Sequence, residues 1–206
     1  NGRQSAFFSL EMTNAQILMR FLEIEPELTM DQRALIHTTE AAFTVDEVYA
    51  AASRLVAANP SIEVVGVDFA DLLIEGPEKV EKASHIYRTL ALLARRIDRP
   101  VVLLSQLNRD SFSGGLPRVN NIRWSGLAEA VASLVLLLYN PSRIFADSAI
   151  HMKGNPLSYV PDAAYIIVGK SRFGFIENHI GAFLVDWDGG AGGGTVSRGY
   201  FQMESV

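Results

Sequence analysis

The 206-residue sequence contains no cysteine, which excludes disulfides and thiolate metal sites. It has no run of about 18 apolar residues, and its first residues lack the charged-then-apolar pattern of a signal peptide. Basic residues are not in excess, because 18 Lys and Arg face 23 Asp and Glu. That balance argues against a protein that coats nucleic acid, although a local positive stripe remains compatible with it. Together these features predict a soluble intracellular globular protein of one domain or two.

Three short apolar runs in the first half are predicted to be buried strands. They are Ser5 to Leu10, Ile62 to Asp68 and Pro100 to Ser105. Helices are predicted over Thr13 to Leu22 with Thr13 as N-cap, over Val45 to Ala58, over Val80 to Ile97, and in the region between Leu22 and Phe43. Strands that alternate with helices, and that are apolar on both faces, predict a doubly wound, mostly parallel α/β sheet.

The second half has a different pattern, with three apolar runs that lie close together. Leu134 to Tyr139, Ala164 to Gly169 and Ala182 to Trp187 are predicted to be strands of an antiparallel extension. Gly189 to Gly194 is predicted to be a flexible turn or linker.

Polar side chains follow the three strands of the first half, at the edge where open α/β sheets bind ligands. Glu11 could position an attacking water, Asp68 could hold Mg²⁺, and Gln106 could hydrogen-bond a terminal phosphate. Each residue also has a plain structural interpretation: a solvated glutamate that begins a helix, an aspartate that caps a turn, and a polar loop amide. The three together predict one phosphate-binding rim.

Several strings resemble successive motifs of the DnaB-type hexameric replicative helicases. They are FFSLEM at 7–12, VVGVDF at 64–69, LLSQLNR at 103–109, LPRVNNIRWSGLAEAVASLVLLLY at 116–139 and GKSRFG at 169–174. The resemblance covers nearly the whole chain. It implies the C-terminal motor domain of that family, with a RecA-like P-loop NTPase core and ATP with Mg²⁺ as ligands.

The resemblance implies a role for each matching residue. Glu11 would activate the attacking water, Asp68 would be the Walker B aspartate that holds Mg²⁺, and Gln106 would sense the phosphate. Lys170 and Arg172 would reach the nucleotide of a neighbouring subunit as a trans finger. Without the resemblance, these two cations would be interpreted as a basic pair in a surface hairpin.

The segment from Arg109 to Asn121 would form a DNA-facing loop in a central channel. Its backbone amides and arginines could follow phosphates without recognising bases. The residues predicted to contact single-stranded DNA are Arg109, Arg118, Asn120, Asn121 and Arg123. The alternative interpretation is a mobile surface loop.

One family element is missing, because no GxxxxGK[ST] phosphate loop occurs in the sequence. In the family this loop precedes the SLEM strand, so we expect it upstream of Asn1. Residues 1–206 are accordingly predicted to be a single RecA-like domain that lacks the Walker A strand, loop and helix. Without the loop, the chain alone should bind ATP poorly.

The leading hypothesis is an ATP-driven 5′→3′ DNA helicase motor of DNA replication, assembled as a homo-oligomeric ring, expected to be a hexamer. The protein is expected in the cytoplasm of a bacterium or phage-infected cell. Primase and a helicase loader are expected partners through parts outside this chain. An alternative is a catalytically inactive RecA-like module that binds DNA or regulates a helicase ring. A third is a recombination or clock-type ATPase, although those usually lack SQLNR after the third strand.

Overall fold

The structure is a computed structural model that describes residues 3–24, 26–27, 29–39, 44–68, 79–108, 116–123, 125–140, 163–172, 179–186 and 195–205. The chain divides into two compact units, Asn1–Gln106 and Leu107–Val206. Within the described residues, no helix is both long and apolar enough to cross a membrane. The assignment of residues 1–206 to a single RecA-like domain stays a prediction.

The first unit is built on a four-stranded sheet whose adjacent strands all run parallel, in the order β2-β1-β3-β4. Its strands are β1 (Gln4–Ser9), β2 (Ile36–Thr39), β3 (Ile62–Asp68) and β4 (Val101–Leu103). Its helices are α1 (Asn14–Ile24), α2 (Met30–Arg33), α3 (Val45–Ala58) and α4 (Lys79–Ile97). Parallel strands need crossover connections, and the helices between them provide these.

The helices of this unit begin where side chains satisfy the first free backbone N–H groups. Thr13 Oγ1 accepts a hydrogen bond from Gln16 N–H at 3.3 Å, and Gln16 Oε1 accepts one from Thr13 N–H at 2.8 Å, which confirms Thr13 as the N-cap of α1. Thr44 and Glu47 form the same reciprocal pair at the start of α3. At the other end of α3, the N–H of Asn59 donates to the carbonyl of Leu55.

The two central strands bury the same face of the sheet. Ala6 of β1 lies opposite Val65 of β3, and Phe8 lies opposite Val67. All four side chains are at most 1% exposed. Their burial fixes the register of β1 against β3, because a slip by one residue would turn every apolar side chain to the other face.

Sequence patterns located most of these elements. The bounds of β3 and α3 agree with the prediction, whereas β4 is shorter than Pro100 to Ser105. The helical prediction between Leu22 and Phe43 is wrong in part, because β2 lies there and pairs with β1. Its four residues are too few to show a period, and pairing with a neighbouring strand decides their conformation.

The second unit contains a four-stranded antiparallel sheet in the order β5-β6-β7-β8. Its strands are β5 (Leu134–Tyr139), β6 (Ala163–Ser171), β7 (His179–Asp186) and β8 (Thr195–Ser205), and they follow helix α5 (Ser125–Val131) and a 3-10 turn at Val119–Asn121. The predicted antiparallel extension is confirmed, and β8 is an additional strand that the sequence analysis missed. The prediction for Gly189 to Gly194 lies outside the described residues.

One face of β5 forms the core of this unit. Val135, Leu137 and Tyr139 are at most 7% exposed, whereas the alternate leucines of β5 are 40–66% exposed. The buried face is completed by Tyr165 and Ile167 of β6. Apolar side chains that precede β5 pack against it, namely Leu107, Leu116, Val119, Ile122 and Ala132.

Candidate functional site

The carboxyl ends of β1, β3 and β4 lie at one edge of the parallel sheet. Ser9, the last residue of β1, is opposite Asp68, the last residue of β3. Pairing continues one residue further, because Leu10 N–H donates to the Asp68 carbonyl at 2.7 Å. Leu104 N–H likewise donates to the Val67 carbonyl at 3.0 Å, just beyond β4. The three chain segments that carry Glu11, Asp68 and Gln106 therefore leave the sheet on the same side.

A buried serine shapes the turn that carries Glu11. Ser9 is 4% exposed, and its Oγ accepts a hydrogen bond from Met12 N–H at 2.9 Å. This bond closes the turn between β1 and Thr13, where α1 is capped. Glu11 lies within the turn with its side chain exposed. Ser9 was not predicted to be a site residue from the sequence, although a serine three residues before a backbone donor is a known turn signal.

The negative charge of Glu11 acts on Asp68, the other carboxylate at this edge. Burial is the main cause that raises the pKa of Asp68 above its ordinary value of 3.8, and the negative charge of Glu11 raises it further. Both effects disfavour the charged form of Asp68. Glu11 and Asp68 are far apart in the sequence, yet they are close enough in the fold to interact electrostatically. A cation held between or beside them would relieve the repulsion.

Gln106 follows the same edge from the third strand. It is the third residue after Leu103, the end of β4, and its side chain is exposed. The structure thus places all three predicted rim residues at the carboxyl edge of one sheet. Their predicted roles in ATP hydrolysis stay predictions.

The carboxylates fit magnesium in a particular way. Among the described residues, no group of three or more His, Cys, Asp or Glu side chains could enclose a metal ion. Magnesium usually keeps several waters and takes one or two carboxylates together with substrate phosphates. Asp68, with Glu11 beside it, matches that sparse donor set rather than an all-protein cage.

Lys170 and Arg172 lie in the second unit, at the end of β6. The Lys170 ammonium donates to the carbonyl of Glu129, and Arg172 Nη2 donates to the carbonyl of Ala130 at 2.6 Å. Both acceptors belong to the last turn of α5, whose terminal carbonyls carry partial negative charge. The structure therefore brings the two predicted finger residues together on one helix end.

The predicted DNA-facing segment is described only in part. Arg109 lies outside the described residues. Arg118, Asn120 and Arg123 are exposed, and the Arg118 N–H donates to Asn121 Oδ1 at 2.7 Å. Contacts that hold the segment in place include a β-bridge between Leu107 and Ile122, the hydrogen bond from Asn108 N–H to the Asn121 carbonyl at 2.7 Å, and burial of Pro117. Exposed cations thus project from an anchored segment.

Comparison with known proteins points to one family. Residues 27–187 match the family described as DnaB-like helicase C terminal domain. The chain is 31% identical over 198 residues to the replicative DNA helicase DnaB of Leifsonia xyli subsp. xyli, covering 82% of this chain and 40% of that protein. It is also 31% identical over 172 residues to the DnaB of Mycobacterium intracellulare, covering 69% of this chain and 30% of that protein. The chain therefore spans less than half the length of these curated relatives.

Solved structures share the fold at lower sequence identity. One of them, an ATPase domain, superposes with a TM-score of 0.68 at 20% identity, over 95% of this chain and 75% of that one. A DnaB-like replicative helicase, solved to describe its interactions with primase, gives a TM-score of 0.66 at 20% identity, over 89% of this chain and 48% of that one. These neighbours confirm the predicted RecA-like α/β fold. The family match spans most of the sequence, so the chain belongs to the DnaB-like helicase C-terminal domain family.

Proposed function

We propose that this chain is the motor core of an ATP-driven replicative DNA helicase that moves 5′→3′ on single-stranded DNA as a homohexameric ring. The observation that carries the proposal is the interaction between Glu11 and Asp68 at the carboxyl edge of the parallel sheet. Two acidic side chains at that edge are an unfavourable arrangement in isolation. The arrangement is useful when a magnesium-bound triphosphate occupies the edge.

In this proposal each residue of the rim has its own task. Asp68 would hold a magnesium ion, which neutralises charge on the phosphates when it is bound. Glu11 would accept a proton from the attacking water and orient it, because the closed turn holds the Glu11 backbone at the edge of the sheet. Gln106 would donate its amide hydrogens to the terminal phosphate and lose that contact after hydrolysis.

Lys170 and Arg172 would act on the nucleotide of the neighbouring subunit. Each donates one hydrogen bond to α5, while an ammonium has three donors and a guanidinium has five. Donors are therefore left over for phosphate oxygens. A guanidinium that reaches an incoming γ-phosphate stabilises the charge that develops during transfer, which is worth about 10³-fold or more in rate.

DNA and protein partners follow from the same proposal. Exposed Arg118 and Arg123, with Asn120 and Asn121 beside them, would contact phosphates of single-stranded DNA, and Arg109 would join them. Primase would bind elsewhere on the full-length protein, by analogy with the structural neighbour solved to describe its interactions with primase, and a helicase loader is a further proposed partner. The ring would work in the cytoplasm.

The test is DNA-stimulated ATPase activity of the full-length gene product. We expect Glu11→Gln and Arg172→Ala each to bind nucleotide as the wild type does, and to turn over at least about tenfold more slowly. Glu63→Gln is a matched control for the first, because Glu63 is an exposed glutamate near the start of β3 that pairs with Arg3. Arg54→Ala, an exposed arginine of α3, is the control for the second. Wild-type rates in Glu11→Gln and Arg172→Ala would refute the residue assignments.

Mixed rings test action between subunits. A ring with both Glu11→Gln and Arg172→Ala subunits contains interfaces that combine an intact Glu11 with an intact Arg172. We expect partial recovery of ATP hydrolysis in such mixtures, and none in either variant alone. A full-length wild-type protein that binds DNA but hydrolyses no ATP would instead support the catalytically inactive module.

A further inference from the structure

The strand that carries Lys170 and Arg172 contains one extra residue. Along most of the β5–β6 pair the register is regular, with Tyr139 opposite Tyr165 and Leu136 opposite Val168. The next pair joins Val135 to Lys170, so Gly169 is left without a partner. Gly169 is therefore the extra residue of a β-bulge, a feature that reorients the side chains that follow it.

The bulge determines on which face of the sheet the Lys170 side chain lies. In an uninterrupted register, Gly169 would lie opposite Val135 and Lys170 opposite Leu134, whose side chain is 40% exposed on the outer face. Because the register shifts, Lys170 lies opposite Val135, which is 7% exposed on the core face. Arg172 lies one residue beyond β6 and reaches the same helix end as Lys170.

The core face is where α5 ends. Ala132, one residue beyond α5, packs against the Val135 cluster on that face. The bonds from Lys170 to the Glu129 carbonyl and from Arg172 to the Ala130 carbonyl form there. Arg172 is fixed a second time, because its backbone N–H donates to the Ser133 carbonyl at 2.9 Å.

The bulge also requires a residue without a side chain. A Cβ atom at position 169 would lie 2.7 Å from Val119 Cγ2 and 3.2 Å from Leu137 Cδ1. Leu137 is 2% exposed and has little room to move. Even alanine would require Val119 or the strand itself to shift at the residue before Lys170.

We propose that Gly169 is a positioning residue for ATP hydrolysis, because its bulge places Lys170 and Arg172 on the last turn of α5 and aims their remaining donors at one phosphate group. This inference rests on the proposed trans action of the two cations. It adds a residue that touches no nucleotide and acts through two others.

The test is the Gly169→Ala variant of the full-length gene product. We expect kcat for ATP to fall at least about tenfold, with KM for ATP and ring assembly close to wild type, because the substrate-binding rim is in the other unit. A general folding defect in the subunit would also damage its own Glu11 site. We therefore mix Gly169→Ala with Glu11→Gln subunits, and we expect the same partial recovery that Arg172→Ala gives in such mixtures.

A second-site variant supplies the matched control. Val119→Ala removes the Cγ2 atom that a Cβ at position 169 would contact most closely. We expect the double variant with Gly169→Ala to regain a kcat within about threefold of Val119→Ala alone.

The outcomes separate the two proposals. A wild-type kcat in Gly169→Ala, a loss that mixing does not relieve, or an assembly defect that Val119→Ala does not repair overturns the role of Gly169 while the trans finger stands. A wild-type kcat in Arg172→Ala removes the trans finger itself, whatever Gly169→Ala shows.

Discussion

Replacing Gly66, in the middle of β3, by alanine should change the free energy of unfolding in a direction that depends on the side chain of Phe7. A Cβ atom at position 66 would lie 2.8 Å from Cδ2 and 3.3 Å from Cε2 of Phe7, on the adjacent strand β1. Ordinary contact begins at 3.4 Å, so the Phe7 ring would have to withdraw by about 0.6 Å. The substitution Gly66→Ala therefore places a methyl group against the Phe7 ring, between β1 and β3.

The expected magnitude combines two opposing effects. Over-packing costs about 1–3 kcal/mol, and the half-buried ring of Phe7 has some freedom to move, so we take about 1–2 kcal/mol. Replacing glycine in a strand also restricts the unfolded chain, which stabilises the fold by about 0.4–1 kcal/mol. The net expectation for Gly66→Ala is a loss of about 0–1.6 kcal/mol in the free energy of unfolding.

The assay is urea denaturation of four proteins: wild type, Gly66→Ala, Phe7→Ala and the double variant. In the Phe7→Ala background the ring is absent and only the effect on the unfolded chain remains. Gly66→Ala should then be neutral or stabilising by up to about 1 kcal/mol. Equal losses in both backgrounds would show that contact with the Phe7 ring does not cause the destabilisation.

Two further predictions concern the pH dependence of stability and the start of a helix. The pKa of Asp68 is raised in the folded chain, so its charged form destabilises the fold above that pKa, and this destabilisation is lost as the pH falls toward 3.8. Asp68→Asn should therefore unfold at a higher urea concentration than wild type at neutral pH. The difference between the two midpoints should narrow on acidification. A constant gap across that range would contradict the assignment. Thr44→Ala should lower the free energy of unfolding by about 1 kcal/mol, because it removes the cap of the 14-residue α3. Thr29→Ala removes the equivalent cap of α2, which has four residues and none buried, so it should cost clearly less. Thermal unfolding of both variants measures the difference.

Local sequence patterns predicted the elements that contain many apolar residues at regular spacing or in one run. The spacing of Val45, Val48, Ala52 and Val56 defines α3, and the run IEVVGVD defines β3, because both bury a continuous face. Strand β2 escaped prediction because its stability comes from pairing with β1 rather than from its own residues. Strand β8 is equally dependent on its neighbour β7.

The candidate site was predictable where function depends on residue type and not where it depends on register. Glu11, Asp68 and Gln106 stand at the ends of apolar runs, and the topology of a parallel sheet brings such ends to one edge. The position of Lys170 depends on the unpaired Gly169, and a single glycine in a strand does not reveal a bulge without the partner strand. No sequence pattern identifies the Glu129 and Ala130 carbonyl groups that accept hydrogen bonds from Lys170 and Arg172.

The hydrogen bond from Leu10 N–H to the Asp68 carbonyl makes a mechanical unit of two chain segments. The bond extends the β1–β3 pairing by one residue, so the backbone segments that carry the two carboxylates are held side by side. The bond from Leu104 N–H to the Val67 carbonyl is made one residue earlier on β3, so the segment that leads to Gln106 has its own attachment. Both bonds are made to β3, so this central strand sets the position of the two segments that lead to Glu11 and to Gln106.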